Sequence, residues 1–282
     1  MLSIEPTGAI LGATIRGVDL ARALSDPDFG RILLALGQHG VLRFPDQQLD
    51  IGDVKRFSEL FGEIQGNPIR AVDGAQMYPE VGILSNVKEN GVYIGSPDAG
   101  QDWHTDMSYN ELIGFSNVLY GLRIPHRNGQ ALGNTVFANM HAAYDELPEA
   151  LKTRLDGMTA SHDFNKFWEE MRRRPGSTRP ALTPEQRAKR PAATHPVFMT
   201  HPITGRKVLY CNPGYVTRIN ELDEAESDRV RAASPGHTRG EFQREEVALT
   251  AYAGGRVRLS VPHPPWRDEE LGRLHSSLRR CS

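Results

Sequence analysis

The chain has 282 residues, with 33 Lys and Arg against 35 Asp and Glu, a formal charge of −2 that supplies no field for holding nucleic acid or an anionic membrane. That length is ample for a buried core and suits one large domain carrying an insertion. Hydrophobic residues at 39% and charged residues at 24% describe a globular protein without the roughly 18-residue apolar run of a membrane span.

No basic stretch followed by an apolar run opens the chain, so the expected address is cytoplasmic. The two cysteines, Cys211 and Cys281, lack Cys-x-x-Cys spacing, which excludes a disulfide framework and a thiolate zinc cluster. In chain order, Ser25-Asp26-Pro27 followed by Phe29, Ile32, Leu33 and Leu36 and stopped by Gly40 predicts a capped amphipathic helix. A short strand is expected over Val41 to Pro45, then a second helix around Val54, Phe57, Ser58 and Phe61 that ends at Gly62. Val81 to Ser85, Phe115 to Ile124 and Lys207 to Tyr210 read as strands, and Ala142 to Leu155 reads as one helix. Residues 164 to 196, dense in Arg, Lys and Pro and without a sustained apolar period, read as a basic insertion or lid with partial helix after Thr183-Pro184-Glu185. No Gly-rich phosphate loop, Gly-x-Ser-x-Gly elbow or His-Glu-x-x-His helix occurs.

The chemistry concentrates in Asp102-Trp103-His104-Thr105-Asp106-Met107-Ser108-Tyr109. On an extended segment His104 and Asp106 point to the same side, and with a remote histidine they make the 2-His-1-carboxylate set that leaves positions on Fe(II) open for oxygen and a second ligand. His-x-Asp pairs also arise by chance, so the weight of the assignment rests on context. His39, His126, His141, His162, His195, His201 and His237 lack a partner at ligand spacing and read as surface, capping or core groups.

That context is a resemblance. The stretch Gln101 to Tyr109 resembles the metal-binding strand of the TauD/TfdA family of Fe(II)/2-oxoglutarate-dependent dioxygenases, named for the taurine and chlorophenoxyacetate enzymes. Leu11-Gly12-Ala13, Gly17-Val18-Asp19-Leu20, His39-Gly40-Val41-Leu42, Phe57-Ser58 and Phe61-Gly62-Glu63 are similar to its N-terminal signature. His201 to Lys207, Asn212-Pro213-Gly214-Tyr215 and Arg218-Ile219 extend the likeness, which covers about residues 8 to 243. The resemblance implies an α+β, mainly β fold: a double-stranded β-helix (jelly-roll) core with flanking helices. It also implies a dioxygenase that couples O2 and oxidative decarboxylation of 2-oxoglutarate to succinate and CO2 with hydroxylation of a small, anionic organic substrate. His104 and Asp106 carry over as iron ligands and Thr135 as a 2-oxoglutarate contact, although Gly129 to Gly133 is longer than the family's compact turn. Met107 and Tyr109 would line the substrate side.

After Glu241-Phe242-Gln243 the family's Trp-containing strand and Trp-Asp-Asn turn are absent in recognisable form, so residues 244 to 282 form an atypical tail within the single domain 1 to 282. Counting forward from Asp106 and Phe242 points to His263 as the distal ligand, with His275 in reserve. A planar guanidinium suits the carboxylate clamp, and Arg273 and Arg279 lie nearest the expected offset, with Arg267 and Arg280 less well placed. Two other readings stay open: an inactive homologue that binds a metabolite or partner, and a metal site used hydrolytically, which would need neither oxygen nor 2-oxoglutarate. The substrate within the sulfonate or carboxylate classes and any homo-oligomeric assembly are undetermined by sequence.

Overall fold

The computed structural model describes residues 1–64, 81–85, 87–95, 103–122, 126–128, 130–131, 135–177, 179–233, 245–247 and 255–262. The chain divides into two compact units, one of residues 1–99, 114–136 and 246–282, the other of residues 100–113 and 137–245.

In the first unit, Ser3–Pro6 and Ala13–Arg16 form an antiparallel hairpin, and Leu42–Arg43 joins Ala13–Arg16 in parallel. The helix Asp26–His39 starts where Ser25 Oγ accepts from the Asp28 N–H and ends at Gly40, whose φ of 69° is the left-handed conformation that glycine adopts without a Cβ clash. Its buried face carries Ile32, Leu33 and Ala35. The helix Ile51–Glu59 opens on a capping box between Asp50 and Asp53 and buries Val54 and Phe57, with Phe57 set edge-on to Phe44 and Phe61. Gly114–Leu122 pairs antiparallel along Gly255–Pro262, which pairs on its other side with Gly82–Leu84. Tyr120 ties this sheet to the loop before the second helix, its hydroxyl donating to Gln47 O (3.2 Å) and accepting from the Leu49 N–H (3.1 Å).

In the second unit, Thr159–His162 is the central strand between Ala193–Pro196 and Val216–Ile219, antiparallel to both, with a register irregularity at Ser161/His162. A hairpin of Phe198–Thr200 and Lys207–Leu209 turns at Gly205. These strands and the helices Met140–Asp145, Glu149–Leu155 and Glu224–Ala233 bury Leu155, Ala160, Val197, Leu209, Val216 and Ile219 in one apolar cluster. Cys211 belongs to it, and burial pushes its thiol up to about 11, so it packs as an apolar group. Cys281 lies outside the described residues.

Two expectations are corrected. The single helix over Ala142 to Leu155 is two, Met140–Asp145 and Glu149–Leu155, because Pro148 cannot continue a helix begun before it and instead stands at the N-cap of the second. Residues 164 to 196 do contain an apolar period: Phe164, Phe167, Trp168 and Met171 recur at i, i+3, i+4 and i+7 on the helix Phe164–Arg172, which begins where Asp163 caps the Asn165 N–H. The expected turn of helix after Thr183 is present as Pro184–Ala188, with a Thr183/Gln186 capping box. None of the described helices is long and apolar enough to cross a membrane.

Candidate metal centre

The His104–Asp106 segment is irregular backbone that enters a turn over 106–109, where the expectation was an extended strand. The turn closes through Ser108 N–H to Thr105 O (3.4 Å) and Asn110 N–H to Met107 O (3.0 Å), and Met107 takes a positive φ of 61°. The two side chains still meet: His104 Nε2 lies 3.3 Å from Asp106 Oδ1, with 16% and 20% of the side chains exposed. An imidazole nitrogen and a carboxylate oxygen brought this close and left partly open fit the donor set of a non-haem iron site.

The setting is aromatic. Phe167 lies 5.7 Å and Tyr215 6.1 Å from the His104 ring, the latter edge-on. The turn that carries Tyr215 comes so near that a Cβ on Gly214 would stand 2.9 Å from Trp103 O and 3.1 Å from His104 Cβ. A side chain at 214 would force the ligand segment or its own turn to shift. Asn212, buried, donates from Nδ2 to Ser108 Oγ (3.2 Å) and accepts the Tyr215 N–H at Oδ1 (3.0 Å).

Met107 and Tyr109 are both buried, joined by the Tyr109 hydroxyl to Met107 Sδ contact of 3.4 Å. They pack with Phe164, Leu182 and Tyr215, and the Tyr109 ring is 4.9 Å from both Phe164 and Tyr215. The Arg190 guanidinium covers this cluster, 4.4 Å from the Phe164 centroid and 5.9 Å from that of Tyr109. Sequence reasoning missed Phe167 and Arg190. Phe167 was detectable from the period of its helix, whereas Arg190 sits in a run of basic residues where no local signal separates it from its neighbours.

Thr135 begins the strand Thr135–Phe137, while its side chain lies outside the described residues, as do His263, His275, Arg267, Arg273, Arg279 and Arg280. His263 directly follows the strand Gly255–Pro262. Among the described residues, no group of three His, Cys, Asp or Glu is placed to hold a metal.

The model of the taurine catabolism dioxygenase TauD, TfdA family matches residues 3–243. The chain belongs to that family. Its members are 2-oxoglutarate-dependent non-haem iron dioxygenases that use Fe(II), 2-oxoglutarate and O2. Pentalenolactone F synthase of Streptomyces avermitilis is 30% identical over 79% of this chain and 74% of its own length. The alpha-ketoglutarate-dependent sulfate ester dioxygenase of Pseudomonas putida is 30% identical over 84% of this chain and 74% of its own. A putative alpha-ketoglutarate-dependent 2,4-D dioxygenase from Burkholderia xenovorans has a crystal structure that matches at a TM-score of 0.68 and 26% identity, covering 95% of this chain and 93% of that one.

A second titratable pair in the same unit has a different character. His162 is fully buried, stacked on Tyr210 at 5.4 Å and 5.2 Å from the ring of His195, and burial together with the neighbouring His195 lowers its pKa to about 3. Burial also lowers the pKa of His195, whose Nε2 is 2.9 Å from Asn110 O. Tyr210 is pushed up by the same burial.

Proposed function

We propose that this dioxygenase hydroxylates a small anionic organic molecule of the sulfonate or carboxylate type, releasing succinate and CO2 from 2-oxoglutarate. The observation that carries the reading is the 3.3 Å His104–Asp106 pair, in a stretch that resembles the family's metal-binding strand. Bound iron and 2-oxoglutarate would together supply the oxidising chemistry, so no side chain is needed as an acid or base.

The residues' task is holding, orienting and keeping water out. His104, Asp106 and His263 are the proposed iron ligands; Thr135 and an arginine, Arg273 or Arg279, are the proposed partners of 2-oxoglutarate. Met107 and Tyr109 belong to the substrate side, where the rings of Phe167 and Tyr215 shield the His104 flank from water. The core accompanying this reading is a double-stranded β-helix within a single domain over 1 to 282, with 164 to 196 as a basic lid. An anionic substrate is supported by the relatives' chemistry, since a sulfate ester and 2,4-D both carry negative charge, and by the basic residues of that segment.

A screen of alkyl sulfonates, alkyl sulfates and aryloxyacetates tests it, with succinate release and O2 uptake as readouts. Succinate formed in step with one of these substrates is expected. A specific observation keeps an inactive homologue as the second reading: the family match stops at residue 243, before His263. Absence of succinate with every substrate would favour it, and turnover without O2 or 2-oxoglutarate would point to hydrolysis instead.

A further inference from the structure

The turn that presents Asp106 is fastened at two buried points outside the ligand set. Ser108, fully buried two residues after Asp106, accepts at Oγ from Asn212 Nδ2 (3.2 Å). The same amide accepts the Tyr215 N–H (3.0 Å), so one side chain fixes both the ligand turn and the ring that stands edge-on to His104. Two residues further, Asn110 O is 2.9 Å from His195 Nε2. A carbonyl can only accept, so Nε2 carries the proton and donates. His195 is in turn fixed in the strand Ala193–Pro196, where Ala193 pairs with His162 and His195 with Ala160.

These contacts matter because the turn is irregular backbone: Met107 takes a positive φ of 61°, and the Ser108 N–H to Thr105 O bond is long at 3.4 Å beside the 3.0 Å bond from Asn110 N–H to Met107 O. A ligand pair on such backbone is only as well placed as its supports. We propose that Asn212 and His195 are positioning residues for the metal centre, clasping the 104–110 turn at Ser108 and Asn110 so that His104 and Asp106 are preset for the ion. The proposal rests on the reading of His104 and Asp106 as ligands, and one of its tests is independent of that reading.

The variants are Asn212→Leu and His195→Leu, which keep bulk and lose the polar contact, and His195→Gln, which retains a side-chain N–H near the Nε2 position. Ser108→Ala is a milder cut of the first contact should Asn212→Leu fail to fold. Ser227→Ala is the control: Ser227 is buried in the same unit and accepts the Ile219 N–H, away from the turn. In apoprotein, hydrogen–deuterium exchange should rise in the peptide over 103–113 for the Leu variants and Ser108→Ala, with no rise over 159–162, while Ser227→Ala leaves 103–113 unchanged. Mn(II) affinity by calorimetry should fall about 10- to 100-fold in the Leu variants, recover substantially in His195→Gln and stay at the parent value in Ser227→Ala. Unchanged exchange over 103–113, or exchange raised equally throughout the unit, overturns the clasp. Mn(II) affinity kept in folded variants whose turn has loosened overturns the positioning role. A parent protein that binds no Mn(II), with variants that still show the local exchange rise, overturns the ligand reading and the positioning role while the clasp itself stands.

Discussion

His104–Asp106 and His162–His195 are two pairs of titratable side chains in one unit, and their surroundings make them different chemical objects. The first pair keeps a fraction of its surface open, at 16% and 20%, with aromatic rings along one flank. In the second, His162 has no exposure, an aromatic ring stacked on one face and no hydrogen-bond partner in good geometry for either ring nitrogen among the described residues. A histidine serves as a ligand when a lone pair faces accessible space beside an anion. Sealed among rings, the same side chain becomes a neutral core group whose charged form is excluded.

The largest effect that would break this contrast belongs to the open pair. His104→Ala or Asp106→Ala should abolish iron-dependent binding of 2-oxoglutarate while circular dichroism stays at the parent spectrum; retained binding in either variant removes the site assignment. Gly214→Ala should come next. Its Cβ would press on Trp103 O at 2.9 Å and His104 Cβ at 3.1 Å, costing about 1–3 kcal/mol of stability and about tenfold or more in Mn(II) affinity. Denaturant unfolding and calorimetry read both, and parent-like values in both would mean that the 212–215 turn can draw back without disturbing His104.

The smallest effect sharpens the contrast from the buried side. Unfolded His162 protonates near 6.5 but folded His162 only near 3, so its contribution to stability is complete above 6.5 and is lost as the pH falls through that window toward 3. The loss is about 1 kcal/mol per pH unit, and His195, lowered by burial, adds in the same direction. Thermal melts from neutral pH to about 4 should show this slope, and His162→Phe should flatten it. A slope as steep in His162→Phe as in the parent would place the acid sensitivity elsewhere.

What sequence could show depended on distance along the chain. The helices Asp26–His39 and Ile51–Glu59 were legible because cap, apolar stripe and stop lie within a few residues of one another. The helix Phe164–Arg172 has the same local period, obscured by the Arg and Pro content that follows it. The break at Pro148 was readable from that proline alone. Within the site, His104 and Asp106 were legible through the resemblance of residues 101 to 109 to the family's metal-binding strand, since His-x-Asp spacing also arises by chance, and the backbone there is irregular and leads into a turn. Asn212 and His195 were not, because their partners Ser108 and Asn110 are 104 and 85 residues away, and one single amide or ring reaching a distant turn leaves no periodic trace. Tyr109 and Met107 were singled out for their nearness to Asp106, yet both are buried in the aromatic cluster, a fact set by tertiary packing.

His104 and Asp106, completed by His263, are the proposed iron ligands for 2-oxoglutarate chemistry. Anaerobic addition of Fe(II) and then 2-oxoglutarate to the purified protein tests this assignment most directly, through the visible charge-transfer band of a metal-chelated 2-oxo acid. A band that needs both additions and disappears in His263→Ala is the predicted result. A folded protein that shows no band with both present would contradict it.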